Sequence, residues 1–276
     1  MVCKYCGQKA GLFRKVHKQC QLSHTLAKYS IIDKIKESII AETDFANLET
    51  EIKSEAEKGY ITQDELADFY NVGFDRAVET FLDDGVISSD EENIISSFKS
   101  HFKLDQSTLN KNGSFEKVTK GLILNDIFQG KLPDKRINID GNSPFLLGKD
   151  ETLIWIFQNV EFYEQRTRTT FEGRSQGISV KIAKGVYYRT GQFKGNPVVS
   201  TQMTFIATGL LALTNKNLYF ASNSKSFKTP YKKLISMTQY SDGIGLQKDG
   251  VTAKPQIFKD LDGWFAYNVI SNLRND

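Results

Sequence analysis

Three cysteines, all within the first twenty residues, constrain this chain more than any other feature. Cys3-Lys4-Tyr5-Cys6-Gly7 is followed by Gly11-Leu12-Phe13, then by His17-Lys18-Gln19-Cys20 and by His24. An odd cysteine count argues against a disulfide framework, and the clustering argues for a metal. Two cysteines two residues apart form a knuckle whose tight turn aims both thiolates at one point, and Gly7 permits the turn that follows. His17 and Cys20 repeat the same internal spacing. A helix starting near His17 places these i and i+3 side chains on one face. The layout is that of a short treble-clef or ribbon-type zinc finger over residues 1–25. Cys3, Cys6, His17 and Cys20 fill the tetrahedron that zinc prefers and leave no open position for catalysis, so the predicted Zn²⁺ is structural. About two dozen residues cannot bury enough apolar surface to fold alone, and the metal makes up the deficit. Leu12 and Phe13 are expected to form the small core beside it. His24, four residues after Cys20 on the same helical face, is the alternative fourth ligand. His17 is preferred because it stands where a second CxxC would begin.

The remaining sequence is long enough for two ordinary domains. At 39% hydrophobic and 25% charged residues the composition is that of a soluble globular protein. No apolar run approaches the ~20 residues that cross a bilayer. Lys4, Lys9, Arg14 and Lys15 break up any signal-peptide core. A cytoplasmic protein is expected, with a peripheral membrane contact left open. The net charge of +3 hides an asymmetry: residues 33–92 hold 18 acids and 5 bases, whereas the first 24 hold five bases and no acid. Such polarity fits either an anionic partner or a solvated helical module beside basic β-structure.

Residues 26–104 carry helical periodicity, with Ile31, Ile32, Ile35, Ile39 and Ile40 on one face. Gly59-Tyr60-Ile61-Thr62-Gln63-Asp64-Glu65 recurs 26 residues later as Gly85-Val86-Ile87-Ser88-Ser89-Asp90-Glu91. Each copy reads as a helix ended by Gly, an extended piece, then a capping box, Thr62 with Glu65 and Ser88 with Glu91. An EF-hand is excluded because the first and third loop positions would be Thr80 and Leu82, which lack carboxylates. The string Asp84-Gly85-Val86-Ile87-Ser88-Ser89-Asp90-Glu91 resembles the helix junction of TerB-like domains, without that family's fuller acidic pattern, so no metal ligand is carried over. Residues 105–145 are expected to be a linker rich in Asn, Ser and Thr at 105–114, a helix over 116–129 and a second loop.

From Thr152 the period changes to two. Strands are expected at Leu153–Phe157, Ile178–Ile182, Met203–Ile206, Gly209–Thr214, Leu218–Ala221, Lys233–Tyr240 and Gly243–Gln247, with a short one ending at Phe258 and a helix over Asp260–Asn272. The string Gly209-Leu210-Leu211-Ala212-Leu213-Thr214-Asn215-Lys216-Asn217-Leu218-Tyr219-Phe220, with Ile235-Ser236-Met237-Thr238-Gln239-Tyr240-Ser241-Asp242-Gly243-Ile244 after Tyr231-Lys232-Lys233, resembles bacterial PH-like (GRAM-related) domains. The resemblance covers residues 146–276. It implies a PH-like antiparallel β barrel or sandwich capped by a C-terminal helix, and a binding role rather than a reaction. The overall expectation is a multidomain α+β protein. One departure is the stretch 162–200 between first strand and hairpin. It carries Arg166, Arg168, Arg174, Lys181, Lys184, Arg189 and Lys194, with Tyr187 and Tyr188 among them. Guanidinium groups pair with phosphate or carboxylate oxygens and tyrosine adds stacking area, so this segment is the candidate partner surface.

No catalytic motif appears. His101 is the one histidine outside the metal cluster region, and it is expected on a helix surface near Phe98 and Phe102. Gly148-Lys149-Asp150 lacks both the first glycine and the Ser/Thr of a P-loop. The expected function is a non-enzymatic intracellular adaptor of bacterial or mobile-element origin. Its β domain would recognise a protein or an anionic ligand, and its zinc finger would add a second contact surface. The alternative is a nucleic-acid-binding protein using the finger and the 166–194 segment.

Overall fold

The structure is a computed structural model describing residues 1–11, 13–133, 144–183 and 186–274; the side chains of 171–198 lie outside the described residues. The chain divides into two compact units, Met1–Arg136 and Ile137–Asp276.

The first unit is helical. It comprises α1 (Lys18–Ile40), α2 (Phe45–Gly59), α3 (Gln63–Phe81), α4 (Ser89–His101), α5 (Gln106–Leu109) and α6 (Ser114–Phe128). The isoleucines of α1 do what their spacing requires: Ile31, Ile32, Ile35 and Ile39 are buried, and they join Ile52, Phe74, Val78, Phe98 and Leu122 in one core. Both expected capping boxes form, Thr62 with Glu65 and Ser88 with Glu91. The two repeat copies differ in how the preceding helix stops. Gly85 takes the left-handed conformation in the second, whereas in the first it is Tyr60 that does so, at φ 56°. Gly59 serves close packing instead, since a Cβ there would lie 2.2 Å from the Ala27 Cβ on α1. The stretch at 105–114, read as a linker, contains α5, capped by Asp105, and fully buries Leu109. Several acids of 33–92 form ion pairs inside this unit: Asp33 pairs with Arg76, Glu51 with Lys34, Asp68 with Lys111, and Glu49 with Lys53 and His101.

The second unit is a seven-stranded antiparallel sheet plus one helix. Its strands are β1 (Leu153–Ala183), β2 (Val186–Thr214), β3 (Asn217–Ala221), β4 (Ser226–Pro230), β5 (Leu234–Tyr240), β6 (Gly243–Lys248) and β7 (Gln256–Lys259), followed by α7 (Gly263–Leu273). The sheet order is β4-β3-β2-β1-β7-β6-β5. Its two edge strands are consecutive in sequence, joined by the single 3₁₀ turn Tyr231–Lys233. A flat seven-stranded sheet would hold its edges about 29 Å apart, and four Cα steps reach at most about 14 Å, so the sheet must curl. An irregularity in the β1–β2 register between Phe157 and Val160, with Asn159 at φ 57°, bends β1 in that sense. α7 lies against β5 and β6 and buries Phe265 beside Trp155 and Phe157, with ring centroids 5.4 and 6.1 Å apart.

Four of the expected strands, 153–157, 178–182, 203–206 and 209–214, are parts of one continuous hairpin. β1 and β2 pair without interruption by another element from Leu153↔Thr214 to Ala183↔Val186. β4 had no counterpart in the sequence reading.

The outer face of β2 and β3 is covered by the strap at residues 144–152, where Phe145 packs on Ala212 and Tyr219. Glu151 latches this strap. It accepts from the Tyr219 hydroxyl (2.6 Å), the Gly148 amide (2.7 Å) and Asn217 Nδ2. Burial alone pushes this carboxyl up, but the hydrogen bonds from Tyr219, Gly148, Asn217 and Thr214 outweigh it and lower its pKa from 4.5 to about 2. A depressed folded-state value means a contribution to stability that is fully present above about 4.5 and fades as pH falls toward 2. Glu151→Gln is therefore expected to lower stability at pH 7 and to flatten the acid limb of a denaturation curve between pH 5 and 2. Chemical denaturation across that range checks it, and an unchanged acid limb would refute the latch.

Candidate metal centre and basic arm

The first eleven residues fold back as a small hairpin. Val2 bridges Lys9, the Cys3 amide donates to the Gln8 carbonyl (2.7 Å), and the Gly7 amide donates to the Cys3 carbonyl (2.9 Å). Gly7, at φ 73°, takes the left-handed turn its type permits. His17 is the N-cap of α1 and Cys20 lies in that helix's first turn. Cys3, Cys6, His17 and Cys20 thereby converge, with one ligand atom from each lying within 4.8 Å of all the others. This group can hold a metal ion.

The donor geometry fits a tetrahedral ion. His17 Nδ1 lies 3.3 Å from Cys6 Sγ and 3.7 Å from Cys20 Sγ. Metal–sulfur bonds of ~2.3 Å and metal–nitrogen bonds of ~2.05 Å at tetrahedral angles require a sulfur–nitrogen edge of about 3.5 Å. His17 Nε2 sits 3.0 Å from the Lys9 carbonyl, an arrangement that places its proton on Nε2 and leaves Nδ1 as the lone-pair donor. The His17 amide donates to Cys3 Sγ at 3.4 Å. Burial pushes the Cys3 thiol up, but hydrogen bonds with the backbone at Cys6, His17 and Tyr5 outweigh it and bring it down to about 6. Cys20 moves the other way, to about 11, through burial and then through hydrogen bonding and charge from Cys6 and Cys3. His17 is raised, chiefly by the Lys9 carbonyl. Binding of a cation would displace the protons that these thiols still carry.

His24 is not part of this group. Its Nε2 is 3.0 Å from Glu65 Oε1 on α3, and its ring centroid lies 4.6 Å from that of Tyr5 at a tilt of 31°. Phe13 does not take part in the small core expected here. Phe13 is 90% exposed, Leu12 lies outside the described residues, and Cys3 and Ala10 are the buried apolar side chains.

The basic segment becomes an arm. β7 pairs with β1 only over Glu161–Glu164, and β3 pairs with β2 only over Leu210–Leu213. From Arg166↔Gln202 outward, β1 and β2 have only each other as ladder partners among the described residues. At a strand's ~3.3 Å rise the ribbon reaches on the order of 50 Å from the sheet. Residues 166–170 and 199–203 are exposed on both faces. Arg166 and Arg168, two residues apart on β1, pair in register with Gln202 and Ser200. Lys184 and the side chains of Arg174, Lys181, Tyr187, Tyr188, Arg189 and Lys194 lie outside the described residues. In sequence, 166–203 holds seven bases and one acid, Glu172.

The chain matches no family model, and comparisons with curated proteins and with solved structures also return no match. No helix among the described residues is long and apolar enough to cross a membrane.

Proposed function

We propose that this is a non-enzymatic binding protein that engages an anionic partner, foremost an acidic protein surface, through the basic arm of a PH-like domain, and whose N-terminus is stapled by a structural Zn²⁺. The observation that carries the reading is the arm. A two-stranded ribbon with no further ladder partner among the described residues is marginal on its own, so its length and charge make sense as a surface awaiting a partner. The curled seven-stranded sheet, with its edges joined by one turn and α7 packed against it, supports the PH-like part. Three thiols and one imidazole at tetrahedral spacing favour zinc over harder ions, which prefer oxygen. A full ligand set leaves no position for a substrate, and that supports a structural role. A reducing compartment such as the cytoplasm would keep these thiols available to a metal.

The test compares the wild type with a variant carrying Arg166→Glu, Arg168→Glu and Arg174→Glu, used as bait in native lysate with and without nuclease. A nuclease-resistant protein held by the wild type and lost by at least about tenfold in the variant supports the reading; reversal of several charge-assisted contacts, each worth ~1.5–3 kcal/mol, predicts at least that. Thermal melting should be unchanged, because Arg166 and Arg168 are solvated. Equal capture by the variant refutes the arm assignment. The arm's charge also favours a second reading, nucleic-acid binding. Recovery of nucleic acid, with protein signals that vanish on nuclease treatment and fall steeply with salt, would put that reading first.

A further inference from the structure

The metal centre does not stand apart from the helical unit. Tyr5, between the two knuckle cysteines, lies against His24 of α1 at 4.6 Å and against Tyr60 at 6.0 Å, stacked at 27° in the latter pair. Tyr60 closes α2 and leads directly into the capping box that starts α3. His24 reaches the same junction, because its partner Glu65 is the capping-box residue and also accepts from the Thr62 amide and hydroxyl, each at 2.9 Å. Two routes therefore run from ligand-bearing segments to one point: Cys6 through Tyr5 to Tyr60, and Cys20 through α1 and His24 to Glu65. Tyr60 holds this place at a backbone cost. It occupies the left-handed region at φ 56° and ψ 35°, which bulky side chains seldom adopt. Tyr60 is an exposed residue whose ring faces that of Tyr5.

We propose that Tyr60 is a positioning residue of the metal centre, and that the centre and the α2–α3 junction form one cooperative unit, so that binding of the ion orders residues 60–66 although none of them is a ligand. The inference rests on the metal reading above. Groups outside the ligand set that orient the ligands typically change metal affinity 10–100-fold when removed. The ring stack is the means: with Tyr60 in place, Tyr5 has one seating, and the Cys3–Cys6 turn that flanks it has one orientation toward His17 and Cys20.

Two measurements on the full chain test this. The first compares hydrogen exchange in zinc-loaded and chelator-stripped wild type. Stripping should speed amide exchange at residues 60–66 at least about tenfold, along with the expected loss at 1–20. Loss confined to 1–20 would overturn the inference and leave the metal reading intact. Failure of the wild type to bind zinc at all would instead sink the metal reading. The second uses Tyr60→Asn, since Asn tolerates the left-handed backbone and the substitution removes only the ring. Zinc should still bind at one equivalent, but its transfer to a competing chelator should quicken about tenfold or more. The cobalt-loaded variant should keep a four-coordinate spectrum while its thiolate-to-metal charge-transfer band shifts, which a merely structural lesion elsewhere would not produce. Zinc transfer and cobalt spectrum both matching the wild type would overturn the role of Tyr60.

Discussion

Exchange of Cys6 for serine will leave zinc at about a tenth of an equivalent or less after gel filtration, and will open Lys4, Lys9, Arg14 and Lys15 to trypsin. The argument is one of scale. The buried apolar side chains in the knuckle are Cys3 and Ala10, and its backbone is held by a few hydrogen bonds. A zinc ion bound by thiolates in a small module contributes apparent free energies of about 10–16 kcal/mol at neutral pH, far more than this local packing can supply. Removing one of four ligands therefore removes both the metal and the fold of residues 1–16. The C-terminal half of α1 should survive, because Ile31, Ile32, Ile35 and Ile39 are fixed in the helical core independently of the metal. Elemental analysis and limited proteolysis followed by mass spectrometry read both outcomes. His24→Ala, by contrast, should keep one equivalent of zinc, since that imidazole faces Glu65. A Cys6→Ser protein that kept a full equivalent and resisted trypsin would overturn the assignment.

Why the cysteine–histidine cluster was legible in sequence, while its surroundings were not, follows from the range of each interaction. Cys3 and Cys6 meet through one turn, and His17 and Cys20 through one turn of helix, so spacing brings each pair together, while the choice of His17 over His24 depends on the distant Glu65. Capping boxes are equally local, and Thr62–Glu65 and Ser88–Glu91 form where the repeat places them. Tyr60 has no such signal: its partner Tyr5 is 55 residues away, and only the return of α2 alongside α1 brings the rings together. Leu109 hides in a stretch whose Asn, Ser and Thr content resembles a linker. Those residues in fact cap and clamp, as when Ser114 and Asn112 both donate to Asp75. The arm is the clearest case of long-range determination. Alternation shows that 178–182 and 203–206 are extended, but not that they belong to strands that pair with each other over their whole length. That register joins residues as far apart in sequence as Leu153 and Thr214. β4 escaped notice because Ser226-Phe227-Lys228-Thr229-Pro230 offers only two inward positions and ends in proline, which a sheet edge tolerates.

Phe258→Ala should cost the β unit about 3–5 kcal/mol, a lowering of its melting temperature on the order of 10 °C. Phe258 is fully buried, and its ring centroid lies 5.1 Å from Phe162, 5.9 Å from Phe220 and 6.3 Å from Phe227. Those partners sit on β1, β3 and β4, whereas Phe258 sits on β7. In the sheet order β4 and β7 are four strands apart, which on a flat sheet is about 19 Å. Ring contact between Phe227 and Phe258 therefore exists only because the sheet curls, and the four rings are the packing that rewards the curl. Deleting one leaves a cavity that the facing strands cannot close without flattening, so the loss should lie toward the upper end of the range for aromatic truncation. Phe205→Ala provides the contrast: that ring is 50% exposed and contacts Tyr163 edge-on, so its loss should cost about 1 kcal/mol or less. Equal destabilisation by the two variants, measured by denaturant titration, would show that the aromatic cluster does not hold the curl. The curl would then have to rest on the short turn at Tyr231–Lys233 and the bend at Asn159.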